Sequence, residues 1–180
     1  MTTVFLVSYI NMKVGIGRAE FDIKLFPMLT GLLHTHNLLR YVLLLLILIS
    51  IVKSFNGWMG KKPYTDGNRK LTLFTLISAH LQLVIGMVLY FISPNVKVGL
   101  ADMGAAMKDP GLRFWTVEHI AMMLIAITLI TLGNILSKKG KTDEAKHKRV
   151  AIFFLLALIV IFLAIPWPWS AVASGWAPGM

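Results

Sequence analysis

Three stretches of this chain run for twenty residues or more with almost no charge, and they limit its fold more than anything else in it. Leu71 to Ile92 is 22 residues without a charge, Phe114 to Leu136 is 23 with one glutamate and one histidine, and Val150 to Trp169 is 20 with no ionisable group. At about 1.5 Å of rise per residue, each can cross a hydrocarbon core of roughly 30 Å as a helix. Lipid offers the backbone no hydrogen-bond partners, so such a run must satisfy its own N–H and C=O groups. Tyr41 to Val52 has only 12 uncharged residues, but reading back through Arg40, His36 and His34 to Leu32 gives 21. The count predicts four transmembrane helices, at about 32–53, 71–93, 113–137 and 149–166, the first with a polar outer third.

Turn-forming residues separate these spans: Asn56-Gly57, Pro63 and Asp66-Gly67, then Pro94-Asn95 through Pro110-Gly111, then Gly140 in a Lys-rich stretch. The predicted fold is all-α, a multi-pass membrane four-helix bundle over residues 31–169. Residues 1–30 are read as an interfacial or mobile extension, because Thr2 to Ile10 is too short to span and lacks the basic start of a secretory signal. Pro166-Trp167-Pro168-Trp169 cannot continue a regular helix, its tryptophans suit a headgroup belt, and 170–180 is read as an irregular tail.

Composition narrows the function. Charged residues are 14% against the roughly 25% of soluble domains. The absence of cysteine removes disulfides, Cys-ligated zinc, iron–sulfur clusters, thiolate nucleophiles and covalent haem attachment. The net charge of +10 sits in loops beside apolar runs, which reports membrane topology and argues against nucleic acid. The loops after the first and third spans carry 11 Lys and Arg, from Lys53 to Lys70 and from Lys138 to Arg149, and the opposite side carries six. The positive-inside rule then places both termini outside.

Histidines are the main chemical lead. Helical rise puts His36 roughly 25 Å and His119 roughly 28 Å above the inner boundary, with Gly86 level with them at about 24 Å. His36 shares a stripe with Arg40, Ser50 and Ser54, and His119 one with Ala126, Gly133 and Ser137, so both should face neighbouring helices. Helix two has a stripe of Thr75, Ala79, Gln82, Gly86 and Ser93; His80, near the midplane, lies well off it and reads as an edge or partner-facing residue, a weak ligand candidate. A porphyrin iron held by two imidazoles needs opposed ligands at one height across a bundle, and Gly86 would leave room for a flat ring. Arg40, one turn deeper than His36, needs a counter-charge, which a propionate or Glu118 could supply; Glu118 could also orient a histidine ring.

Plainer readings accompany these. His36 and His119 could simply hydrogen-bond helices together. His147, among Lys146, Lys148 and Arg149, reads as part of a solvated face. Met103 and Met107 with His34 and His36 could suit soft copper, while Asp102 and Asp109 read as turn caps. No phosphate loop, His-Glu-x-x-His or nucleophile elbow is present, so a stand-alone enzyme is not indicated.

The stretches Leu33-His34-Thr35-His36-Asn37-Leu38-Leu39-Arg40-Tyr41, His80 to Gly86 with Leu89-Tyr90, Arg113-Phe114-Trp115 with Glu118-His119, and His147-Lys148-Arg149 leading to Ile165-Pro166-Trp167-Pro168 resemble small bacterial inner-membrane proteins catalogued as cytochrome-b-like. The resemblance covers Leu32 to Trp169 and implies a four-helix bundle in the bacterial inner membrane, with a start near Met28. The architecture is also similar to the halves of haem A synthase and to the cytochrome b561 type, although this chain lacks their four well-placed ligands. One haem b is the most the resemblance carries over. The expected function is thus a membrane electron carrier, with a membrane redox complex or quinone as partner and a homo- or hetero-oligomer possible. The rivals are a haem-free accessory or assembly subunit of a larger respiratory complex and a copper-handling protein.

Overall fold

A computed structural model describes residues 2–167, 169–170 and 172, with side-chain surroundings from Pro27 onward. Among the described residues there are only helices, turns and bends. In chain order they are α1 (Thr2–Met59), α2 (Asp66–Ile92), α3 (Pro94–Ala101), α4 (Met103–Ala106), α5 (Pro110–Arg113), a π-helical turn (Phe114–Glu118), α6 (His119–Lys138) and α7 (Asp143–Ala164). Four segments are long and apolar enough to cross a membrane: Pro27–Met59, Asp66–Ile92, Pro110–Lys138 and Asp143–Ala164. The expected interfacial character of residues 1–30 falls mostly on side chains outside the described residues, as does most of the expected irregular tail.

The chain divides into two compact units, residues 1–35 and 36–180. The first is helical from Thr2 onward; near its end the Thr35 hydroxyl donates to the Gly31 carbonyl at 2.9 Å. The second holds the bundle core and both cavities described below.

Local chemistry sets the helix ends in the second unit. Ser93 and Ile165 each precede a proline, and each takes an extended ψ of 127°, which stops α2 and α7 there. Thr142 caps α7 by accepting from the Ala145 N–H at 3.1 Å, and Asp143 and Glu144 lie in its first turn, where carboxylates favour the helix dipole. The Arg149 guanidinium donates to the Leu136 carbonyl at 2.6 Å, near the open end of α6.

One core joins the helices: Leu43, Ile47 and Ile51 of α1, Ala79 of α2, Ala126, Ile127 and Ile130 of α6, and Val150, Phe154, Ala157 and Ile161 of α7. The small and polar stripes lie inside it. Ser50, Ser54, Thr75, Ala79, Gln82, Ser93, Ala126, Gly133 and Ser137 are all buried. The Ser50 and Thr75 hydroxyls lie 3.1 Å apart across α1 and α2. The opposite face of α2 exposes Phe74, Ile77, Leu81, Val84, Val88 and Phe91 at spacings of three and four, an apolar surface suited to lipid.

At Gly133, α6 and α7 pack closely. A Cβ there would stand 2.8 Å from Phe153 Cβ and 3.1 Å from the Phe154 ring. Overpacking of this kind costs about 1–3 kcal/mol, so Gly133→Val should lower the unfolding midpoint in mixed micelles followed by circular dichroism. An unchanged midpoint would mean that the two helices are not in this register.

Candidate functional site

His36 and Arg40 of α1, Gln82 and Gly86 of α2, and His119 at the start of α6 line one cavity of about 100 Å³, with Leu83, Met87, Met123 and Ile161 among its apolar walls. Three residues that helical rise places level, His36, Gly86 and His119, therefore do meet at one site.

The local structure around His119 arises from two prolines and a π-helical turn. A helical carbonyl normally accepts from the N–H four residues on, and for Phe162 and Ala164 those residues are Pro166 and Pro168, which have none. Side chains take both carbonyls instead. Trp167 Nε1 donates to Phe162 O at 3.0 Å, and His119 Nδ1 bonds Ala164 O at 2.9 Å. Because a carbonyl only accepts, Nδ1 must carry the proton, and the neutral ring keeps its lone pair on Nε2. The His119 N–H in turn reaches back five residues to Phe114 O, closing the π-turn, a feature frequent at functional sites. Phe114 and Trp115 of that turn are buried, and their rings, 5.0 Å apart, pack against one side of the imidazole with centres 5.8 and 5.7 Å away.

His36 is held differently. Its backbone carbonyl accepts from Gln82 Nε2 at 2.9 Å, tying α1 to α2, while its own Nδ1 is buried with no partner. Gln82 Oε1 is likewise buried and unpartnered. Leaving such atoms unmade costs about 1–3 kcal/mol each, so the cavity carries an unmet demand for a polar or coordinating ligand. Gly86 serves this ring directly: a Cβ there would lie 3.2 Å from His36 Cε1. The absence of a side chain at Gly86 thus gives the imidazole its place at the cavity wall.

Other candidates lie elsewhere. Glu118 does not line the cavity; its Oε1 accepts from Arg113 Nε at 2.6 Å, both side chains being more than a third exposed. It therefore neither pairs with Arg40 nor orients His119, a role filled by the Ala164 carbonyl. Arg40 instead lies 5.0 Å from the Tyr41 ring centre and within 3.3 Å of its hydroxyl. His80 is exposed, and its Nδ1 bonds its own helix at Leu76 O, 2.9 Å away. His34, Met103 and Met107 are exposed. Asp102 and Asp109 are caps, accepting from the Ala105 and Leu112 N–H groups at 2.9 and 2.7 Å. Among the described residues no three His, Cys, Asp or Glu side chains gather into a metal-binding group.

His147 overturns the expectation of a solvated residue. Only 1% of it is exposed. Its ring stands edge-on to Tyr64 at 4.8 Å and faces Pro63 O at 3.5 Å, and a Cβ on Gly57 would collide with it. The signal was present in Gly57 and Pro63-Tyr64, but nothing in the spacing joins them to a histidine 84 residues beyond Pro63.

No protein-family model, curated protein or solved structure matches this chain.

Because the Arg113–Glu118 pair is half open to water or headgroups, it should contribute at most about 1 kcal/mol. Glu118→Gln should leave any ligand bound through His119 unchanged, whereas His119→Leu should abolish it. An equal loss in both variants, read by ligand absorbance, would return Glu118 to the site.

Proposed function

We propose that this chain is a membrane electron carrier for one b-type haem, which His36 and His119 would hold. The observation that carries the reading is the meeting of two imidazoles, from separate helices, at one apolar cavity with nitrogen atoms not committed to protein partners. The donor set fits a bis-imidazole iron site. A bound haem would supply one-electron chemistry at its iron. The chain's residues do the rest. The Ala164 carbonyl fixes the His119 ring and raises the basicity of its other nitrogen, the usual effect of a partner behind a ligating histidine. Gly86 gives the His36 ring its place, and Arg40 offers a cation to a propionate. Most of the remaining wall is apolar.

The cavity's volume sets a condition on uptake. About 100 Å³ accommodates a few water molecules of roughly 30 Å³ each, well under the 300 Å³ or more of ordinary ligand sites. A macrocycle would therefore enter only if side chains such as Met87 and Met123 swing aside, which unbranched thioethers do readily. In this reading both termini lie outside, the basic loops inside, and the site sits toward the outer face of a bacterial inner membrane. Electrons would pass to a quinone or a membrane redox complex.

Reduced-minus-oxidised absorbance of detergent-purified protein from haem-replete cells tests this directly. Sharp reduced bands should appear, and His36→Leu and His119→Leu should each remove them while Gly86→Leu weakens haem retention. Folded, colourless protein that also refuses added haem would end the haem reading and direct attention to an accessory subunit, with copper content measured on the same sample.

A further inference from the structure

A second cavity, of about 510 Å³, lies among the start of α2, the end of α6 and the first turns of α7. Unlike the first, it is polar. Arg69, Lys138 and Lys146 line it with a single carboxylate, Asp66, and the hydroxyls of Tyr64, Thr65 and Thr72. We infer that it is a binding site for the phosphate of an anionic phospholipid headgroup. The inference is independent of the haem reading.

Three features support it. First, two of the three cations, Arg69 and Lys138, are weakly engaged. Arg69 meets Asp66 at 3.4 Å with side chains 62% and 83% exposed, a pair worth little and readily exchanged. Lys146 bonds Asp143 at 2.9 Å, and Lys138 makes no ion pair among the described residues. Against the three cations stand two carboxylates, Asp66 in the wall and Asp143 on Lys146, which leaves one positive charge, that of Lys138, uncompensated beside a space larger than a phosphate. Second, the Tyr64 hydroxyl is a neutral donor at the wall for a phosphate oxygen; it lies 3.5 Å from Thr72 Oγ1, whose own proton goes to the Arg69 carbonyl at 3.0 Å. Third, the site stands at the ends of helices whose adjoining residues Leu73, Phe74 and Ile135 are exposed apolar side chains. Acyl chains have a surface there, which a free phosphate would not use. A basic pocket between helix ends on the side of the Lys-rich loops is the usual setting for such headgroups.

The test uses the full chain in detergent, titrated with short-chain phosphatidylglycerol, phosphatidylcholine or inorganic phosphate, and read by native mass spectrometry and thermal stabilisation. Phosphatidylglycerol should bind and stabilise in preference to phosphatidylcholine, with affinity falling about fivefold for each cation removed in Lys138→Gln and in Arg69→Gln/Lys138→Gln. Lys97→Gln/Lys108→Gln, on the other loop, should keep the preference. Equal binding of the two lipids, or a preference surviving in the double variant, would overturn the proposal. Stabilisation by inorganic phosphate as strong as by phosphatidylglycerol would overturn the lipid as its source. Should the double variant unfold, Lys138→Gln alone decides the outcome, since Lys138 is exposed at a helix end.

Discussion

Close approach of helices at small side chains is the constraint on which this bundle rests. Lipid removes the hydrophobic drive that packs soluble helices, so contact must come from shape and from hydrogen bonds between helices. Ala79, Ala126, Gly133 and Ala157 let the backbones come together, and the Ser50–Thr75 hydroxyl contact and the Gln82 bond to the His36 carbonyl lock α1 against α2. Both cavities follow from this frame. The first opens where Gly86 meets the His36 ring and the small-residue stripes give way to imidazoles; the second opens where α2 and α7 begin and α6 ends in basic turns.

The two ends of the bundle handle polar groups in different ways. At the His119 end, prolines strip the last turns of α7 of backbone donors, and an imidazole and an indole take over the carbonyls left open. The price of a broken helix is thereby converted into a fixed histidine tautomer. At the His147 end a histidine is buried whole beneath Tyr64 and against Gly57, and the lysines and arginine around it turn outward or onto neighbours: Lys148 lies 5.2 Å from the Trp58 ring centre, and Arg149 bonds a helix carbonyl. A polar ring packed so tightly acts as a structural pin between α7 and the loop after α1.

Legibility differed sharply between faces and partners. The stripes of Ser50, Thr75, Ala79, Gln82, Ala126 and Gly133 were readable because helical periodicity alone sorts small and polar residues onto one side. The common height of His36, Gly86 and His119 was readable because rise per residue is constant. Partner choice was not. Glu118 had Arg40 and a histidine as plausible partners, yet took Arg113, five residues back across a π-turn that no propensity announces. His147 looked solvated because its sequence neighbours are charged, while its spatial neighbours come from residues 57 to 64.

The sequence by itself determined that four apolar segments form helices long enough to cross a bilayer, and which face of each is small and polar, because length, charge and 3.6-residue periodicity are local properties. It also held the reason for an irregular end at Pro166 and Pro168. Tertiary structure alone decided which carbonyl fixes His119, that Gly86 accommodates an imidazole, that Gln82 Oε1 and His36 Nδ1 are left unpartnered, and that three cations surround one polar cavity. Those outcomes depend on rotation and axial offset between helices distant in sequence. A shift of one residue, about 1.5 Å and 100°, would replace every one of these partners without altering any helix.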